Sequence, residues 1–84
     1  MNYLDEAVAM AVDALYGVAA PKTLTDICIA IARRHDVSVQ KVETAIRHGV
    51  MKINERSEIQ FTPMLYIYYT ALTIKTQRNL VTKI

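Results

Sequence analysis

The chain has one cysteine, two glycines, two prolines and no tryptophan in 84 residues. One cysteine excludes an internal disulfide and is consistent with a reducing cytoplasm, where we place the protein. So few glycines and prolines argue against a strand-and-turn fold and for helices. No apolar run approaches the ~18 residues of a membrane span, so no membrane partner is expected. The start, MNYLDEAVAM, has early acids and no basic stretch, and does not read as a secretory signal. Paired carboxylates, a glycine-rich phosphate loop and a Cys/His cluster are all missing. His35 and His48 stand apart, and Cys28 has no ligand or base at usable spacing. No catalytic residue, metal ligand, cofactor or small-molecule substrate is therefore expected, and the chain does not read as an enzyme.

What is present is apolar residue, at 52% of the chain. A domain of this size buries a little over ~60% of its unfolded surface, enough for one modest core. The expected fold is a single all-α domain, a small bundle of four to six helices with a helix-turn-helix at about 27–55.

The stretch from Cys28 to Arg56 organises the rest. It reads as a helix, a tight turn and a longer helix. Thr23 or Thr25 opens the first, whose sequence is apolar nearly all round until Arg33, so it is central and Cys28 sits in the core. Ile27 and Ile31 can face the next helix, and the small Ala32 allows a steep, close crossing. The turn falls at His35-Asp36-Val37. A positive φ is usual there, and Asp tolerates it because its short side chain bonds its own backbone. Val37 then plugs the gap. Ser38 caps the second helix, which runs to about Glu55. Val42, Ala45, Ile46, Gly49, Val50 and Ile53 recur at three- and four-residue steps and form its buried face. Gln40, Lys41, Glu43, Thr44, Arg47, His48 and Lys52 lie opposite. Nearly all can hydrogen-bond, the residue set needed to read base edges in a major groove. The alternative is an ordinary helical hairpin with a solvated face.

The flanks read as support. Residues 3–16 form a first helix, capped by Asn2 and stopped by Gly17, with Leu4, Val8, Ala11, Val12 and Leu15 as its apolar stripe. EIQFT is short and extended. Thr62-Pro63 starts a fourth helix, with Met64, Leu65, Tyr68, Ala71, Leu72 and Lys75 at helical steps. Ile67, Tyr68, Tyr69, Thr70, Thr73 and Ile74 are strand formers, so a β-hairpin wing is the alternative. Gln77 to Ile84 is a basic, amphipathic end suited to a short last helix. The third helix is expected to be the longest.

Charge is uneven. Residues 1–30 carry a balance of −3, residues 31–56 of +3 and residues 57–84 of +2. The positive charge of Arg33, Arg34, Lys41, Arg47 and Lys52 therefore sits on the candidate reading unit, the local field that phosphate binding needs.

The segment IARRHDVSVQKVETAIRH resembles the DNA-binding segment of the C-terminal effector domain of the sporulation-initiation response regulators of spore-forming bacteria. Ile31-Ala32-Arg33-Arg34, the Val42-Glu43 pair and Ala45-Ile46-Arg47-His48 carry the resemblance. It extends without gaps from about Tyr3 to Ile59 and fades beyond about Thr70. It implies an all-helical, cytoplasmic bacterial transcription regulator that binds double-stranded DNA, as a homodimer on tandem sites. It implies base contacts near Gln40, Glu43, Thr44 and Arg47, backbone contacts from Lys41 and His48, and support from Arg33 and Arg34. Ser38 and Lys52 complete the expected interface. Thr44 stands where the family has an arginine that helps read the box, so the family's box sequence does not carry over. No phosphate-accepting receiver domain is present, and Met1 directly before the first helix reads as a natural start, although an excised domain would look alike.

Two functions follow. One is a sequence-specific DNA-binding transcriptional regulator with the helix 38–55 in the major groove. The other is a protein-interaction module of the same fold that dimerises with, or antagonises, a full-length regulator without binding DNA. Glu43 and Thr44 on the outer face favour the second, because an acid repels phosphate, yet Glu also accepts from cytosine N4.

Overall fold

A computed structural model describes residues 2–82 and is all-α, with no strand among the described residues. Four helices follow in order: α1 Tyr3–Leu15, α2 Leu24–His35, α3 Val39–Asn54 and α4 Pro63–Thr82.

Each helix starts where a short polar side chain can satisfy an orphan backbone N–H. Asn2 Oδ1 accepts from Asp5 N–H at 2.8 Å, Thr23 Oγ1 from Asp26 at 3.1 Å, Ser38 Oγ from Lys41 at 3.1 Å and Thr62 Oγ1 from Leu65 at 3.2 Å. A cap of this kind stabilises by about 1 kcal/mol. The stops are equally local. Gly17, at φ +83°, follows α1, and Asp36, at φ 53°, ends α2 in the left-handed region the sequence predicts. The Asp36 N–H closes the turn on Ala32 O, and Val37 N–H also donates to Ala32 O at 3.1 Å.

The core lies between the four helices. Ala7, Ala11, Ile27, Cys28, Ile31, Val42, Ile46, Ile67 and Ala71 are wholly buried, and no polar side chain is buried among the described residues. Val37 packs half-buried against this cluster, as its place in the turn suggests. α1 crosses the back of α2 and α3 and pairs most extensively with α4. The alanines at 7, 11 and 71 let the helices approach closely. Gly49 serves the same end, because a Cβ there would lie 3.1 Å from Leu4 Cδ2.

Several expectations need correction. Ala45 is exposed and Ile53 only half-buried, so the buried stripe of α3 is the narrower Val42, Ile46 and Val50. On α1, Ala7 and Met10 are buried while Leu15 is half-exposed, since α1 meets partners on more than one side. The longest helix is α4, with 20 residues against 16 in α3. It absorbs the separate last helix expected from Gln77, continuing through Thr82; Lys83 and Ile84 lie outside the described residues.

The strand propensity of α4 is overridden by its cap and by packing on α1. Its buried line is Ile67 and Ala71, flanked by Met64 and Ile74, whereas Leu65 and Leu72 face out. Lys75 Nζ donates to Leu15 O at 3.0 Å and sits 5.4 Å from the Tyr16 ring centre, a cation at the negative end of α1. The segment EIQFT forms no strand because side chains satisfy its backbone. Asn54 Nδ2 donates to Phe61 O at 2.9 Å, and Phe61 N–H donates to Asn54 Oδ1 at 2.8 Å.

Candidate nucleic-acid interface

The orientation of α3 is fixed from its buried side. With Val42, Ile46 and Val50 anchored against α2 and the rest of the core, a rotation of 100° per residue sets every other position. Lys41, Thr44, His48 and Met51 project furthest from the core. Gln40, Glu43 and Arg47 run along one edge, and Ala45 and Lys52 along the other. Gln40, Lys41, Thr44, Arg47, His48 and Lys52 are all exposed, and Glu43 is half-buried on the rim. Ser38, Gln40, Lys41, Thr44, Ala45 and His48 line one shallow depression of about 520 Å³. Five of the ten sequence-predicted site residues therefore share a single concavity.

Arg47 is not loose. Its Nε–H donates to Glu43 Oε1 at 3.0 Å, one helical turn back. That contact leaves the two terminal nitrogens of the guanidinium for a ligand. It also places a carboxylate beside them, so the edge presents an acceptor next to a fork of donors.

Arg33 and Arg34 are exposed in the last turn of α2, together with His35. Cations there offset the negative end of that helix whatever else they do. His35 is committed elsewhere: its Nε2 lies 2.8 Å from both carboxylate oxygens of Glu6, and the Tyr3 ring stands edge-on to it at 5.2 Å. This contact ties the end of α2 to the start of α1. Ser38 serves its own helix as the cap. The first turn of α3 holds no acid, so the positive end of its dipole is uncompensated next to Lys41.

Two neighbours escaped the sequence reading. Met51 is half-exposed on the outer face, and Ala45 lies outside the core stripe. Both offer apolar contact of the kind a thymine methyl accepts. For Ala45 the signal was ambiguous, because its position at the edge of the stripe is decided by how close α1 and α2 come. An open cleft of about 600 Å³ also runs between the start of α1, His35 and the His48–Lys52 edge of α3.

Cys28 lies in the core behind this surface. Burial pushes its thiol above the ordinary value; the Glu43 carboxylate adds to the rise and the Arg47 guanidinium opposes it. Among the described residues no group of His, Cys, Asp and Glu is placed to hold a metal ion, and no helix is long and apolar enough to cross a membrane. No protein-family model, curated protein or solved structure matches the chain.

Proposed function

We propose that the protein is a sequence-specific DNA-binding transcriptional regulator in which α2, the Asp36 turn and α3 act as a helix-turn-helix. The observation that carries the reading is the two-sidedness of α3. One side is locked by wholly buried Val42 and Ile46 and nearly buried Val50. The other offers Gln40, Lys41, Thr44, Arg47 and His48 to solvent without an intervening acid except Glu43. A rigid helix presenting donors and acceptors is what direct readout of the major groove requires. Arg33 and Arg34, exposed in the last turn of α2, and Lys52, exposed on one edge of α3, suit contacts to the phosphate backbone. In this role Arg47 donates through its free terminal nitrogens to guanine O6 and N7, while Glu43 holds Nε and orients the fork.

The Glu43–Arg47 pair also favours one other reading, a protein-interaction module, since it cancels charge where phosphate would approach. Fluorescence anisotropy with pooled random duplexes separates the two. If one domain neutralises roughly four phosphates, log affinity falls against log salt with a slope of about −3.6, a loss of roughly a hundredfold between about 50 and 200 mM. Well-folded protein that fails to bind at the lower salt excludes the regulator and leaves the interaction module.

A further inference from the structure

The outer face of α4 carries no charge, unlike the outer faces of the other helices among the described residues. Leu65, Tyr69, Leu72 and Leu80 are 51, 55, 56 and 60% exposed. Steps of four, three and eight residues put them on one side of the helix, opposite the buried Ile67 and Ala71. Thr73 lies among them and donates its hydroxyl to Tyr69 O at 2.9 Å, so its polar group is satisfied within the helix. No residue from Ile59 to Ile74 is charged, Lys75 is turned in toward Leu15, and the exposed Arg78 lies on the other side of the helix, where it lines a hollow with Asp5 and Asp13 of α1. By contrast α1 turns Asp5 and Asp13 outward, α2 Asp26 and Arg33, and α3 Lys41 and Lys52. A helix apolar on both sides is a helix with partners on both sides, and α1 covers only one.

We propose that this stripe is the contact of a two-fold symmetric homodimer, α4 against α4. A two-fold contact sets a patch against its own copy, so a patch bearing charge of one sign would repel itself. The uncharged stripe meets that condition, and a second copy supplies the same apolar chemistry in return. Leu72 lies at the middle of the 65–80 span, which places it near the axis of an antiparallel pair, with Tyr69 beside it. The helix measures roughly 30 Å by 10 Å. One such face is smaller than the ~800 Å² per partner of a standard stable interface, so the dimer is weak and concentration-dependent. The inference stands on α4 alone and does not rest on the DNA-binding reading.

Sedimentation equilibrium on the full chain, from about 10 μM to 1 mM, tests it across the affinity range of small interfaces. The apparent mass should rise from 9.5 kDa toward twice that value. Leu72→Glu and Leu72→Lys should each hold the single-chain mass throughout, with helical circular dichroism unchanged because the position is exposed. An equimolar mixture of the two variants should recover the rise, since opposite charges then meet across the axis. Tyr69→Lys gives a second break if either Leu72 variant fails to fold. Ala9→Glu, on the exposed side of α1, should associate like the parent. A parent that keeps the single-chain mass at the highest concentration overturns the proposal, as do Leu72 variants that associate normally. A mixture that stays monomeric overturns the two-fold arrangement.

Discussion

Asp36 is the residue on which the angle between α2 and α3 turns, and replacing it should stabilise the protein. Its φ of 53° and ψ of 49° lie in the left-handed region. An L-residue there carries a penalty of about 1 kcal/mol, at the low end for Asp. Its charge also sits at the negative end of α2, unfavourable by about 0.3 kcal/mol at an exposed site. Asp36→Gly removes both effects. Glycine brings its own cost, a looser unfolded chain worth about 0.5 kcal/mol. The balance favours the variant by about 0.5–1 kcal/mol, which for a domain of this size raises Tm by about 3–6 °C. Asp36→Ala keeps the left-handed backbone, loses the charge together with the short polar side chain that eases this conformation, and should fall below Asp36→Gly. Thermal and urea unfolding followed by circular dichroism measure both. Equal stability of the two variants would refute the argument, because it would mean that positive φ costs nothing at this turn. If the protein binds duplex DNA as proposed, the affinity of Asp36→Gly should not fall, since the turn geometry is unchanged.

Ile46→Ala empties a wholly buried site and should cost about 2–5 kcal/mol, enough to unfold much of a marginal domain; urea titration gives the value. Ser38→Ala removes the cap that holds Lys41 N–H and should cost about 1 kcal/mol in the same assay. Arg47→Ala should leave Tm nearly unchanged, because an exposed ion pair one turn apart is worth only about 0.3–0.5 kcal/mol and alanine favours the helix. If Arg47 reads a guanine, the same change costs about 1–3 kcal/mol on the preferred duplex and little on random DNA, which competition anisotropy resolves. For Cys28, burial raises the thiol in the folded state, so its contribution to stability is fully present below the ordinary value of 9.0 and is lost as pH rises through the folded value. The parent should lose stability above about pH 9, and Cys28→Ala should lose less there; thiol reagents at neutral pH should modify the parent only on unfolding.

The helices themselves were legible in the chain because their signals are local. Asn2, Thr23, Ser38 and Thr62 each sit three residues before the N–H they accept, and Gly17 and Asp36 stand where a left-handed residue must end a helix. The core line of α3 was also legible, since Val42, Ile46 and Val50 are apolar against a polar background and only one rotation buries them. That rotation alone brought Gln40, Lys41, Thr44, Arg47 and His48 to the surface.

Tertiary structure decided what local pattern leaves degenerate. α4 is apolar on both sides, so periodicity could not choose between the line through Leu65 and Leu72 and the line through Ile67 and Ala71. Packing against α1, the helix with which α4 pairs most extensively, made the choice. The same ambiguity let β-branched and aromatic residues suggest a hairpin, until a capped start and packing against α1 made the helix the lower state. The end of the buried stripe on α3 at Ala45 and Ile53 was likewise set by how near the other helices come. Contacts between residues far apart in sequence, His35 with Glu6 and Lys75 with Leu15, leave no trace in spacing. They join groups that only the packing of α1 brings within reach.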